Sequence, residues 1–531
     1  MIHTPVLISG GGPVGLCAAI ELGLRGIRCV IVEPRPEPTR LRPRAKTLNT
    51  RTMEHFRRWG LADRIRAQAP LPTSWSSDVA FRTTLLGREI TRFSGVLGLG
   101  DEGVSPELGQ QMPQYVLEGL LRDVVADLPS CALLLGSRVV SVADGLDHAV
   151  VGVRAPDGTV ERFTASYVIG ADGARSAVRE AIGASYVGSW ASRPNLGVTF
   201  RCEQLLERAA PAVQSWLLND RVPGMMGPVD LDGTWWLIAF GVDGTSPNLD
   251  SVALVHGALG ERLPVEIVST DPWTARMELA DRVRDGRIFL VGDAAHLNPP
   301  FGGHGLNTGI GDAVDLGWKL AAVLDGWGGP GLLDSYEAER RAVHERVVDE
   351  ATANMSTLAG HLVRDELDTA GPIGDAARAA AVQEIHATKR REYYSLDLVL
   401  GHGYQGSAVI APEHLPGAPE DWATRVRTGH RLPHAWLEPG LSTLDRVGPG
   451  YTVFTVDGAL VDGVVSAAEH AGVPLSLVRW QDPTLAASLG ADVVVVRPDQ
   501  VVAWHGTGQP QDPAGLLDTL TGRGTVNSAS S

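Results

Sequence analysis

Val6-Leu7-Ile8-Ser9-Gly10-Gly11-Gly12-Pro13-Val14-Gly15 carries an apolar strand, Val6 to Ser9, into a glycine turn. The pattern beyond it predicts a helix from Leu16 to Arg25 and a second strand from Cys29 to Val32 that ends on Glu33. Strand, turn, helix and strand make a βαβ unit. Within it Gly10, Gly12 and Gly15 fit G-x-G-x-x-G: one glycine for the tight turn, one for close approach to a pyrophosphate, one for helix packing. Glu33 stands 18 residues past Gly15, at the end of the next strand, where a carboxylate can accept hydrogen bonds from ribose hydroxyls. NAD and FAD proteins share this motif, so the turn predicts a dinucleotide without choosing which.

The same α/β sheet resumes twice, in Ala165-Ser166-Tyr167-Val168-Ile169-Gly170 and in Arg287-Ile288-Phe289-Leu290-Val291-Gly292. From Val79 to Leu97, ahead of the first return, and from Gly197 to Ile267, between the two, the pattern alternates and is rich in strands, which predicts one antiparallel sheet inserted into the nucleotide unit. After Asn307 a helical pattern runs to the break Gly326-Trp327-Gly328-Gly329-Pro330, and long helices follow to about Arg391. Gly406 to Pro439, rich in Pro, Gly and His, reads as a linker crossing the surface. Beyond it, regularly spaced strands around a helical segment near Leu460 to Ala471 predict a small terminal α/β unit.

The 531 residues exceed what a single hydrophobic core covers, so several structural units are expected. An apolar fraction of 44% and a charged fraction of 20% fit a globular protein. A net charge of -16 without a local Lys/Arg cluster disfavours nucleic acid as a partner. The four cysteines, Cys17, Cys29, Cys131 and Cys202, show neither C-x-x-C nor metal-ligand spacing, so no metal site is expected and they read as small core residues. Met1 to Pro5 leads directly into a strand, and no run approaches about 18 apolar residues. The expectation is a cytoplasmic protein with no signal peptide and no membrane span.

Two further motifs choose the dinucleotide. Tyr167-Val168-Ile169-Gly170-Ala171-Asp172-Gly173-Ala174-Arg175-Ser176 is one; Leu290-Val291-Gly292-Asp293-Ala294-Ala295-His296, followed by Pro299-Pro300 and Gly302-Gly303-His304-Gly305-Leu306-Asn307, is the other. These resemble the DG and GD fingerprints of the single-component FAD aromatic monooxygenases, built on the p-hydroxybenzoate hydroxylase fold. The resemblance extends through Arg42-Pro43-Arg44-Ala45, Gln114 with Glu118, Gly317-Trp318-Lys319-Leu320 and Tyr336-Glu337-Ala338-Glu339-Arg340-Arg341. The terminal segment, with Arg431-Leu432-Pro433-His434-Ala435-Trp436-Leu437 and Val496-Arg497-Pro498-Asp499, is similar to the thioredoxin-like domain of phenol, aromatic-polyketide and indolocarbazole hydroxylases.

The resemblance implies an α/β fold with an α+β insert: a Rossmann-like FAD-binding domain in three pieces, 1–75, 98–183 and 280–395; a substrate-binding β-sheet domain, 76–97 and 184–279; a thioredoxin-like domain, 405–526; and a disordered tail, 527–531. It puts Glu33, with Arg35 beside it, on the adenosine ribose, Arg44 and Gln114 along the pyrophosphate and ribityl chain, and Gly292 and Asp293 at the ribityl hydroxyls. A carboxylate leaving a buried strand is costly unless it meets such donors; the other reading of Asp293 is a turn cap. Pro300, Gly302, Gly303, Gly305, Leu306 and Asn307 form a loop entering a helix. Its backbone N–H groups and dipole can stabilise negative charge at the flavin N1/C2=O edge.

The family usually has Gln where His304 stands; the histidine either faces solvent or alters flavin contact or protonation of the peroxide intermediate. Asp172 and Arg175 either serve pyrophosphate and nicotinamide docking or simply pair with each other. Trp216, Trp235, Trp236 and Trp273 either wall an aromatic substrate or fill the core. The activity implied is hydroxylation of a phenolic or polycyclic aromatic substrate by non-covalently bound FAD, with NADPH or NADH and O2, through a flavin C4a-hydroperoxide. Baeyer-Villiger insertion or epoxidation on the same scaffold is the alternative, and a non-catalytic flavin binder the remaining one. No cysteine follows Cys202, so the terminal domain cannot exchange disulfides; packing or homodimer formation is left to it.

Overall fold

The computed structural model describes residues 2–41, 46–96, 98, 103–356, 362–412, 423–480, 485, 487 and 489–524. Its first sheet has Ile2–Ser9 in the middle, parallel to Cys29–Glu33 on one side and to Val160–Gly170 on the other. Cys131–Leu135 and Ile288–Leu290 extend it in parallel on either flank. Parallel strands covered on both faces read as unbroken apolar runs, and Val6, Leu7 and Ile8 are fully buried. The helix Pro13–Gly23 begins three residues before the expected Leu16, because Pro13 occupies the first helical position, where its missing N–H costs nothing.

The inserted sheet has eight strands, antiparallel except where Gln214–Leu217 lies parallel to Asp78–Arg82. Its two long strands, Tyr186–Arg201 and Glu266–Ala280, pair along their length, and Glu278 and Leu279 then pair with His296–Leu297. The GD motif is thereby fastened directly to the inserted sheet. The sheet separates two cores. On one face Trp235, Leu237, Val198 and Phe200 pack under the helix Ser251–Leu259; on the other Phe81, Trp216, Phe240 and Phe301 pack with Tyr393 from the helix Pro372–Tyr393.

The C-terminal unit is a four-stranded sheet, Leu475–Arg479, Tyr451–Thr455, Val493–Val496 and Val502–Gly506 in spatial order, with the helices Asp462–Ala471 and Pro513–Leu520. Tyr451, Val453, Val493 and Leu517 share one core with Trp318 and Trp327, which end the helix Gly305–Leu324 and the turn after it. Within the expected surface linker His430, Arg431 and Leu432 are buried rather than exposed, while 413–422 lie outside the described residues. A guanidinium can be buried there because Arg431 donates to Glu54 Oε1 and Oε2. Cys17, Cys29 and Cys202 are buried, but Cys131 is only half so, its sulfur 3.5 Å from that of Cys29. Among the described residues no helix is long and apolar enough to cross a membrane. The tail 527–531 lies outside the described residues.

Candidate functional site

Gly10 has φ +109, and a Cβ there would meet the Ala171 carbonyl oxygen at 2.3 Å, so only glycine lets the first turn seat on the DG strand. Gly12 differs: nothing lies within 4 Å of its Cβ position, and the helix it precedes has no side-chain cap and no acidic residue in its first turn. The N–H groups of that turn therefore face open space. Glu33 accepts from the Gly11 N–H at 2.8 Å through one oxygen and from the Arg35 backbone N–H and Nε, at 2.9 and 2.8 Å, through the other. Arg35 also pairs with Glu118, which accepts from Gln114 Nε2 at 2.7 Å. Glu33, Arg35 and Gln114 thus lie on one hydrogen-bonded line beside the glycine turn; Arg44 lies outside the described residues.

Gly292 and Asp293 open the opposite wall. Asp293 is exposed, though Gly292 and Ala294 on either side are buried. Pro300 is exposed, and Gly302 and Gly303 take φ of +82 and +68 to turn the chain into the helix Gly305–Leu324. This second helix also begins with no side-chain cap and no acid in its first turn. Leu306 is half-buried against the main core. The Asn307 side chain is occupied within the protein: it donates to Thr47 O and Gly303 O and accepts from the Asn49 N–H. It staples the loop to the strand Thr47–Leu48, which leaves its backbone as the part open to a ligand.

His304 is not solvent-facing. It is 4% exposed, Nε2 has no partner, and burial lowers its pKa to about 4. The ring folds back behind Gly302, out of water, because the C-terminal segment covers that side. Asp172 does not pair with Arg175. Its Oδ2 accepts the N–H groups of Ala177 and Val178, its Oδ1 is buried without a partner, and burial raises its pKa.

The tryptophans divide by strand alternation. Trp235, expected as a wall of the substrate site, is 1% exposed in the core away from the loop. Trp216 and Trp236 occupy the other face. Trp216 stacks on Phe81 and on Phe301 of the loop and donates to the Tyr393 hydroxyl. Trp236 lies under Lys46, whose ammonium is 4.4 Å from the ring and donates to Val213 O at 2.9 Å. Burial lowers the Lys46 pKa to about 7. Sequence reading passed over this lysine, and nothing in the sequence marks it: it stands among Arg40, Arg42, Arg44 and Arg51.

A second group also escaped that reading. Asp312 Oδ1 accepts from Arg340 Nε at 2.7 Å and faces His344 Nε2 at 2.8 Å; Oδ2 accepts from the Gly292 N–H and faces His296 Nε2 at 3.1 Å. Two histidines and a carboxylate this close resemble a metal-ligand set. The guanidinium and the backbone N–H already fill the oxygens, so the cluster is a hydrogen-bond hub that holds the start of the GD motif.

Two bare helix N-termini, a carboxylate line beside one and an exposed carboxylate near the other call for a ligand with phosphate between two polyhydroxyl parts. FAD has that make-up, and the open space at Gly12 fits its pyrophosphate. The sequence matches the FAD binding domain family over residues 3–351 and the aromatic-ring hydroxylase C-terminal family over 425–523. It is 34% identical to 4-methyl-5-nitrocatechol 5-monooxygenase of Burkholderia sp., covering 98% of this chain and 97% of that one. The fold is similar to that of the rebeccamycin biosynthetic enzyme RebC solved with reduced flavin, with TM-score 0.90, 35% identity, and 98% and 99% of the two chains covered. It is also similar to aklavinone-11 hydroxylase in a ternary complex with FAD and aklavinone, with TM-score 0.84, 29% identity, and 98% and 99% covered.

Proposed function

The chain belongs to the FAD-dependent aromatic-ring hydroxylases, and on that premise we propose that it places one atom of O2 on an electron-rich carbon of a phenolic or polycyclic substrate, with NADPH or NADH as reductant. The observation that carries this is a single junction: the loop that starts the bare helix Gly305–Leu324 also lays Phe301 against Trp216 and Phe240. A flavin edge and an aromatic ring are served from one turn.

When bound, FAD supplies what no side chain here can, two-electron reduction by a nicotinamide and activation of O2. The protein's part is placement and electrostatics. The N–H groups of Gly12 and Gly15 would serve the pyrophosphate, with Gly10 and Pro13 shaping the turn that presents them, Glu33 and Arg35 would take the adenosine side, Gln114 and Asp172 would border the middle, and Gly292 and Asp293 would meet the ribityl hydroxyls. The backbone of Pro300, Gly303, Gly305, Leu306 and Asn307 faces the ring system, where the helix dipole favours negative charge. Trp236, half-buried with Lys46 over its ring, is the tryptophan left to bound the substrate, since Trp216 is 3% exposed and packed on Phe81 and Phe301. The nucleotide pieces are 1–75, 98–183 and 280–395, the inserted sheet supplies 76–97 and 184–279, and the terminal unit, 405–526, meets the helix Gly305–Leu324 through Arg497 and the helix Thr50–Arg58 through Arg431 and Asp445.

The test is anaerobic. Purified protein is mixed with NADPH, and flavin bleaching is followed with phenols, naphthoquinones, anthraquinones or indolocarbazoles added singly. One class is expected to accelerate reduction strongly and to name the substrate. Reduction that is absent throughout, or fast and indifferent to every compound, would overturn the reading.

A further inference from the structure

Behind the Gly302–His304 turn, where the nucleotide unit meets the C-terminal unit, lies a cavity of about 60 Å³. No residue of the Gly10–Gly15 turn lines it, nor does Gly292 or Asp293; it lies behind the loop of the dinucleotide cradle, with His304 and Asn307 in the shared wall. One water occupies about 10–15 Å³ on this measure, so the space suits a few waters or one small ion and no organic cofactor.

The polar groups around it are unevenly satisfied. His55, His304 and Arg431 all line the cavity and are each 4% exposed, and His55 Nδ1, His304 Nε2 and Arg431 Nη1 have no partner. A guanidinium nitrogen can only donate, and an imidazole nitrogen donates when it carries the proton, so the demand is for an acceptor in the cavity, which meets Arg431 Nη1 outright and His304 Nε2 in its protonated form. Buried donors left in this state cost about 1–3 kcal/mol each. The carboxylates at the wall do not meet it: Asp315 and Asp499 are both engaged by Arg497, at 2.9 and 2.6 Å.

Charge narrows the choice of acceptor. Around the cavity Arg51 and Arg431 pair with Glu54, Arg340 pairs with Asp312, and Arg497 and Lys319 pair with Asp315, Glu339 and Asp499. Five cations face five carboxylates, of which Asp315 at the wall is pushed up to about 7 by burial, and the Tyr404 hydroxyl accepts from Arg340 Nη1 while keeping its own O–H to donate. An anion entering this shell is stabilised further when a proton comes with it. The histidines at the wall differ in their readiness to take it. His55 and His402 are held neutral by burial and also by Arg51 and Arg340, whereas His304 is held neutral by burial alone.

We propose that this cavity binds one monovalent inorganic anion of halide-to-nitrate size, taken up together with a proton that His304 carries. The ion accepts from Arg431 Nη1 and from the protonated imidazole, which satisfies two of the three unpartnered groups. The site does not depend on the identity of the hydroxylated substrate.

Bromide is the probe. Crystals of the FAD-loaded protein soaked in sodium bromide at pH 5.5 are expected to show an anomalous peak within hydrogen-bond reach of His304 Nε2 and Arg431 Nη1. In solution, histidine-ring NMR should place the His304 protonation midpoint higher in bromide than in sulfate of equal ionic strength. The bromide Kd should rise about tenfold per pH unit above the ion-free midpoint, as one-proton linkage requires. In His304→Gln, which keeps a donor at the wall but cannot take the proton, that slope should flatten. Ordered waters with no anomalous peak at saturating bromide, or a His304 midpoint indifferent to bromide, would overturn the proposal.

Discussion

The dinucleotide cradle and the seam that joins it to the C-terminal unit are both dense in polar groups, and they treat them in opposite ways. At the cradle, two helix N-termini stand bare, Gly12 faces open space and Asp293 is exposed. At the seam, Arg497 is fully buried and spends its guanidinium on Glu339 at 2.8 and 3.0 Å, Asp315 at 2.9 Å and Asp499 at 2.6 Å, while Lys319 closes the same carboxylates at 2.9 and 2.7 Å. A binding surface must leave its donors unspent until the ligand comes; a permanent joint cannot. The two regions should therefore respond to perturbation in different observables.

Acid separates them most widely. His304 and His344, both fully buried, have pKa values lowered to about 4 by burial, and His402 to about 3 by burial and by Arg340 and Arg51. Their native values lie below the unfolded one near 6.5, so between these the unfolded chain binds protons that the native seam refuses. The stability they contribute is intact above about pH 6.5 and drains away as pH falls toward 4, several kcal/mol in total. Denaturant unfolding as a function of pH should show this slope; a flat profile from 7 to 4 would mean that the seam lets its histidines charge.

Replacing Arg497 by Met strands three buried carboxylates with Lys319 alone. A loss of about 3–5 kcal/mol is expected in chemical unfolding, and a loss below about 1 kcal/mol would show that the seam is not a joint. Gly12→Val should do the reverse. Its side chain meets no protein atom, so the unfolding midpoint of FAD-free protein should hold, while FAD affinity falls roughly 10- to 150-fold as charge-assisted hydrogen bonds worth about 1.5–3 kcal/mol are displaced. Titration with FAD followed by fluorescence quenching reads it. The smallest change concerns the aromatic face between the two regions. Tyr393→Phe removes the acceptor of Trp216 Nε1 and Gln214 Nε2 and should cost about 1–2 kcal/mol, seen in thermal unfolding with FAD affinity unchanged.

What the sequence made legible follows the same division. The glycine turn, Glu33 and the GD loop were readable because strand, turn and helix are consecutive, and their demands on residue type are local. The seam was not, since the partners of Arg497 sit 158 and 182 residues away and no spacing rule reaches that far. The solvent-facing reading of His304 fails for the same reason: the ring shares a buried cavity with His402, Tyr404, Gly429 and Arg431, far along the chain from it. Trp235 and Trp236 show a finer limit. Alternation told that they part, and only the packing of Phe301 told which one faces the loop.

The position of the strand Ile2–Ser9 in the middle of its sheet has a consequence for how the protein is made. Its neighbour Val160–Gly170 emerges roughly 8–32 s after it at about 5–20 residues per second, and Arg497 only after roughly 25–100 s. Through that interval the first strand must wait beside Cys29–Glu33 with one edge unpaired. The first strand is then exposed to aggregation until Val160–Gly170 arrives, and the joint made by Arg497 closes much later still.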